Sequence, residues 1–141
     1  MSDQTVTPDP AGTAASSAAE TLTRKFQREL SAGLTSLVLL SVLAEASEDL
    51  YGYEIARRLT GDAEGGSPFK QGALYPVLRN MSAAGLLSSR VVPSYSGPPR
   101  RYYRITSLGR EVLGSWRTTW TDTRGFVDSI VQRARPQETS P

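Results

Sequence analysis

Lys70, Arg79, Arg90, Arg100, Arg101, Arg104 and Arg110 stand out because no Asp or Glu separates them anywhere between Gly65 and Arg110. The rest of the chain holds nine basic and all fourteen acidic residues, so a formal net charge of +2 conceals a cationic stretch inside an acidic remainder. Cations without neighbouring carboxylates can neutralise phosphates, and such a stretch is the electrostatic footprint of a nucleic-acid surface. A merely solvated charged face is the alternative, and the complete lack of acids over this span weighs against it. Other chemistries are poorly supplied. The chain has no Cys and no His, which removes disulfides, thiolate metal sites, the usual zinc ligand and the commonest general base. No constellation of carboxylates, Lys, Ser or Tyr stands out in their place, so neither an enzyme nor a cofactor is expected.

The elements that must position these cations are legible as periodic segments. With 141 residues the chain fits one domain plus tails. Residues 1–21, small and polar with two prolines, have too few apolar side chains to offset the entropy of ordering and are expected to be a disordered tail, as are residues 135–141. Leu30, Leu34, Leu37, Leu40 and Leu43 or Ala44 recur at helical steps and predict a first helix over about Thr23 to Ala46, with Gly33 interrupting it. Its most apolar part, "LTSLVLLSVLA", is about half of the roughly 20 residues that a membrane-spanning helix needs, so it reads as a buried helix of a soluble cytoplasmic protein. "LYGYEIARRLTGD" predicts a second helix with Tyr51, Ile55 and Leu59 on one stripe; Tyr51 and Tyr53 could turn their hydroxyls to phosphate, but the stripe favours Tyr51 as a core residue.

"GALYPVLRNMSAAGLL" predicts a third helix with Leu74, Leu78 and Met81 inward and Gly85 at its close. Pro76 is expected in its first turn, where a missing N–H costs little. "LLSSRVV" and "RRYYRIT" flank the Pro/Gly/Ser turn "PSYSGPP" and predict a hairpin. In its second strand Arg101, Tyr103 and Ile105 share one face and Tyr102 and Arg104 the other. A long helix follows from Ser107 to about Arg133, with Trp116, Trp120, Val127 and Ile130 among its apolar positions. The expected fold is therefore mainly α with a small β-hairpin wing: a winged helix-turn-helix over residues 22–106 and a carboxy-terminal helix over 107–134. The order of elements also suits a winged-helix module that binds protein rather than DNA.

"LYGYEIARRL", "GALYPVLRNMSAAGLL" and "GPPRRYYRITSLG", in this order, resemble the three motifs of PadR-type transcriptional regulators over about Glu29 to Val131. The resemblance implies a cytoplasmic, nucleoid-associated homodimer that represses by binding an inverted-repeat operator in double-stranded DNA and is released by an effector. One carboxy-terminal helix rather than a helical domain is similar to the smaller subgroup. Tyr75 looks like the family tyrosine that reaches phosphate from the recognition helix, or else packs between helices. Lys70 would contact phosphate, with Gln71, Arg79 and Asn80 as candidates for base edges. Position 73, often threonine in the family, is Ala73 here and brings no hydroxyl to DNA. Arg100 and Arg101 would meet the backbone or minor groove from the wing, with Arg104 in the same strand. Trp116 and Trp120 lie on one face of the last helix; with Val127 and Ile130 they serve dimer packing or contact a flat aromatic effector.

Overall fold

A computed structural model describes the backbone of residues 10–61 and 67–134, and side chains from residue 14 onward in the same spans. In chain order the elements are α1 (Pro10–Glu45), β1 (Leu50–Tyr51), α2 (Gly52–Thr60), α3 (Gln71–Ala83), β2 (Leu87–Val92), β3 (Arg100–Ile105) and α4 (Ser107–Arg133). The fold is mainly helical with one small antiparallel sheet in the order β1-β3-β2. Leu39, Leu40 and Leu43 of α1 meet Ile55 of α2, Leu74 and Leu78 of α3 and Tyr103 and Ile105 of β3 in a single core. The base of the wing is thus packed on the helices through Leu87, Tyr103 and Ile105, while its far end is exposed.

Several boundaries differ from the sequence reading for identifiable reasons. The first helix begins at Pro10, so residues 10–21 are helical and not a disordered tail; residues 1–9 and 135–141 lie outside the described residues. Described side chains through Leu30 are exposed, so burial does not hold this stretch helical. Its alanines have the highest helix propensity, and adding a residue to an existing helix is far cheaper than nucleating one. Gly33 does not interrupt the helix for the same reason. Tyr51 belongs to a two-residue strand paired with Tyr102 and is only half-buried, so it is not the core residue expected from helical spacing. A strand of two residues is too short to show a period of its own.

The turn after α3 is built as its sequence suggests. Gly85 has φ of 83°, a left-handed conformation that costs glycine nothing. Its N–H donates to the Ser82 carbonyl and the Leu86 N–H to that of Met81, closing the helix with a Schellman motif. Thr106 then caps α4: its hydroxyl accepts from the Gly109 N–H at 3.0 Å and lies 2.7 Å from the Gly85 carbonyl. One side chain thereby ties the start of α4 to the end of α3.

Glycines in α4 differ sharply in what surrounds them. A Cβ on Gly109 would stand 2.2 Å from the Leu86 carbonyl oxygen and 2.7 Å from Ile105 Cγ1, whereas one on Gly114 would meet nothing within 4 Å. Gly109→Ala is therefore expected to lower stability by about 2 kcal/mol through overpacking. Gly114→Ala is expected to raise it by about 0.5 kcal/mol through helix propensity. Urea denaturation of the two variants beside the wild type checks both signs.

Candidate nucleic-acid interface

The N-cap Lys70 and, along α3, Gln71, Ala73, Arg79 and Asn80 are exposed to solvent, while Leu74 and Leu78 anchor the helix in the core. Pro76 occupies the sixth position of this helix, beyond the first turn where it was expected. The missing N–H would have met the carbonyl of Gly72, which is exposed, so water can satisfy that acceptor. Helical structure continues to Ala83, held by the buried residues on either side of the proline.

Tyr75 bridges the expected alternatives. Its ring is half-buried and packs against Gly52 at the start of α2, where a Cβ would lie 2.9 Å from Tyr75 Cε1. Its hydroxyl accepts a hydrogen bond from Gln71 Nε2 at 3.0 Å, so it is directed toward the exposed end of α3. The same bond holds the Gln71 amide back along the helix. Between α2, Tyr75 and the wing lies a cleft of about 510 Å³ lined by Tyr51, Tyr53, Tyr75, Arg100, Arg101 and Tyr103 among others, with no carboxylate. Arg101 Nη1 donates to Ser89 Oγ at 3.0 Å, which fixes this guanidinium across the hairpin. Burial pushes the pKa of the Tyr103 hydroxyl above its ordinary value, and the positive charges of Arg101 and Arg79 act against that rise. Tyr103 thus remains neutral and sits where cations from α3 and the wing converge.

Arg104 is the exception among the expected contacts. It lies on the face of β3 opposite Arg101, at the end of the strand away from Arg100, where Asp49 accepts from its Nε at 2.5 Å and from Arg90 Nε at 3.0 Å. The fold thus supplies a carboxylate to a stretch that has none in sequence, from 41 residues before Arg90 and 55 before Arg104. Arg104 is not brought to the cleft, contrary to its grouping with Arg100 and Arg101. Nothing in the local sequence signals that partnership. Tyr53, whose hydroxyl was a candidate for phosphate, and Tyr103, which was not counted as a site residue, both line the cleft.

Trp116 is half-buried against the core and Trp120 is 37% exposed. Both line an apolar groove of about 680 Å³ between α1 and α4, together with Phe26, Leu34, Leu37 and Val127. Ile130 is not on that lining and lies exposed farther along α4. Leu22, Phe26 and Leu30 on α1 and Phe126, Val127, Ile130 and Val131 on α4 all remain exposed, an apolar surface beyond what the single chain covers. Among the described residues no helix is long and apolar enough to cross a membrane, and no cluster of metal-ligating side chains is present.

A three-helix core and a short sheet, with α3 exposed beside a cationic wing, make a winged helix-turn-helix fold. Residues 39–115 match the transcriptional regulator PadR-like family, and the chain belongs to that family of DNA-binding transcription regulators. Solved relatives agree. A PadR family transcriptional regulator from Eggerthella lenta is 28% identical, with 84% of this chain and 96% of that one covered at a TM-score of 0.62. A PadR-like transcription factor from Bacteroides fragilis is also 28% identical, over 75% of this chain and 98% of that one, with a TM-score of 0.58. A PadR-like transcriptional regulator from Bacillus cereus is 27% identical over 74% and 97% of the two chains, with a TM-score of 0.59. A protein of Lysinibacillus sphaericus is 27% identical over 99 residues, covering 70% of this chain and 88% of that protein.

The Asp49 pairing has a pH signature. Hydrogen bonds from Arg90 and then Arg104 hold the Asp49 carboxyl below its ordinary value. A depressed folded value contributes stability above the unfolded value of about 3.9, and that contribution fades as pH falls through the folded value. Both arginine side chains are more than half exposed, so solvent screening holds the contribution to about 1 kcal/mol. Asp49→Asn is expected to lose this increment near neutrality and to show a correspondingly flatter decline in acid. Denaturation midpoints measured from neutral pH to below 3 check the difference.

Proposed function

We propose that this protein is a homodimeric, sequence-specific repressor that acts in the cytoplasm, at the nucleoid, on an inverted-repeat operator. The observation that carries the reading is the carboxylate-free cleft flanked by α3 and the wing, where Tyr75, Arg100 and Arg101 converge. In this reading Lys70, Tyr75, Arg100 and Arg101 meet backbone phosphates, and Arg79, Asn80 and Gln71 face base edges in the major groove. Gln71 reaches a base only by giving up its bond to Tyr75. The exposed apolar residues of α1 and α4 supply the dimer surface, since a contiguous apolar face of this kind is covered by a partner in a soluble oligomer. Two reading helices then stand about 34 Å apart, one turn of DNA.

The groove beside Trp116 and Trp120 is the site for a flat aromatic effector, whose rings would stack on indole and lie against Leu34 and Val127. An effector wedged between α1 and α4 would change the separation of the reading helices, which releases the operator.

The reading is checked by fluorescence anisotropy on a duplex taken from upstream of the protein's own gene. Log affinity should fall with log salt by about 0.9 per phosphate contact, and complexes should contain two chains. Equal binding to a scrambled duplex, or none to either, defeats this function. Gly52→Ala should weaken operator binding by about tenfold with helix content unchanged, because the new methyl group displaces Tyr75 and costs one hydrogen bond to a charged group.

A further inference from the structure

The outer face of the sheet, turned away from the core, carries a row of rings and guanidinium groups. The register places Tyr51 of β1 and Arg90 of β2 on either side of Tyr102 of β3. The Tyr51 and Tyr102 ring centroids are 5.7 Å apart, and Tyr53 stacks on Tyr51 at 6.1 Å. Arg90 lies 5.1 Å above the Tyr102 ring and Arg100 lies 4.7 Å above that of Tyr51. Asp49 closes the base of the row by pairing with both Arg90 and Arg104.

Three arginines on one face are thereby sorted into two kinds. Arg90 and Arg104 are committed to a carboxylate, whereas Arg100 has no ion-pair partner among the described residues and rests on a ring. A guanidinium held through its face keeps its edge N–H donors free, and those are the donors that match a phosphate. Holding it in place also lowers the rotamer entropy that binding would otherwise cost. Arg100 stands beside the wing loop and lines the carboxylate-free cleft, so its free edge is where a backbone phosphate would lie.

We propose that Tyr51 is a positioning residue for DNA binding: its ring is the shelf that holds Arg100 ready for phosphate, while Asp49 keeps Arg90 and Arg104 on the protein. The proposal rests on the operator-binding reading above and assigns to Tyr51 a task unlike the core position implied by its spacing. It depends on the face of the ring and not on the hydroxyl.

The test is a double-mutant cycle, read as operator affinity across a salt series. Tyr51→Ile, which suits a strand, should weaken binding by about fivefold to thirtyfold for two shelves per dimer. Tyr51→Phe should bind as the wild type does. Arg100→Ala should lower the salt slope by about 1.8 per dimer, and Tyr51→Ile should add nothing in that background. Arg104→Ala should leave the slope unchanged. If the wild type binds no duplex, the operator reading itself fails. If the wild type binds but Tyr51→Ile weakens Arg100→Ala as much as it weakens the wild type, the ring is merely structural and the proposal is overturned. A Tyr51→Phe loss equal to that of Tyr51→Ile, or a slope lowered by Arg104→Ala, overturns it too. Should Tyr51→Ile not fold, proton resonances of Arg100 Cδ in the wild-type protein decide: upfield ring-current shifts are expected, and random-coil values refute the shelf.

Discussion

The close approach of Gly109 to the Leu86 backbone is the joint on which the arrangement of α3, the wing and α4 depends. No side chain fits between the two segments, since even a Cβ would come within 2.2 Å of a carbonyl oxygen. Gly85 supplies the left-handed turn that brings Leu86 there, and the Thr106 N–H donates to the Leu86 carbonyl at 3.1 Å. Backbone polar groups at the joint therefore have partners while the segments pack as closely as their main chains allow. Because Leu86 leads directly into β2 and Thr106 follows directly on β3, this contact fixes both ends of the hairpin relative to α3. The wing inherits its angle from the joint, and the charges of Arg101 on the wing and Arg79 on α3 both act on Tyr103.

Electrostatics then follows from the strand period and this placement. Alternation along β3 sends Arg101 with Tyr103 and Ile105 toward the helices, and Arg100 and Arg104 with Tyr102 to the outer face. Like charges on one small face repel, and the fold relieves this with a single carboxylate placed between two of them. The side chain of Asp49 is only 14% exposed, so it is largely withdrawn from any ligand on the surface. Neutralising Arg90 and Arg104 with a withdrawn acid leaves Arg100 and Arg101 as the wing arginines without a carboxylate partner among the described residues. A cationic stretch counted from sequence is in this way divided by the fold into a part paired with a carboxylate and a part left without one.

Much of this was legible because it rests on short-range order. Leu74, Leu78 and Met81 repeat at helical spacing and are buried, Gly85 closes the helix it was expected to close, and the hairpin strands pair as their alternation suggests. Contacts distant in sequence were not legible. Asp49 gives no local sign that it will meet β2 and β3, and β1 is too short to carry a pattern, so Tyr51 looked like the first turn of a helix. The exposed beginning of α1 failed in a different way. Hydrophobic periodicity detects burial, and a helix held by alanine propensity and extended from a packed segment has none to detect.

The two ends of α1 perform different tasks, and its continuity connects them. Leu39, Leu40 and Leu43 are locked in the core with Leu74 and Leu78 of α3, while Phe26, Leu34 and Leu37 line the groove against α4. A Cβ on Gly33, at the groove, would meet nothing within 4 Å, so the groove is open at this point of α1. A close-packed core transmits rotation of a helix and does not absorb it. A change in the angle between α1 and α4 is therefore opposed at the carboxy-terminal half of α1 by its contact with α3, and at the start of α4 by the joint with Leu86. In the proposed repressor both routes end on α3 and the wing. A ligand in the groove needs no contact with the DNA surface to disturb it, because the elements that enclose the ligand are the elements that set the orientation of that surface.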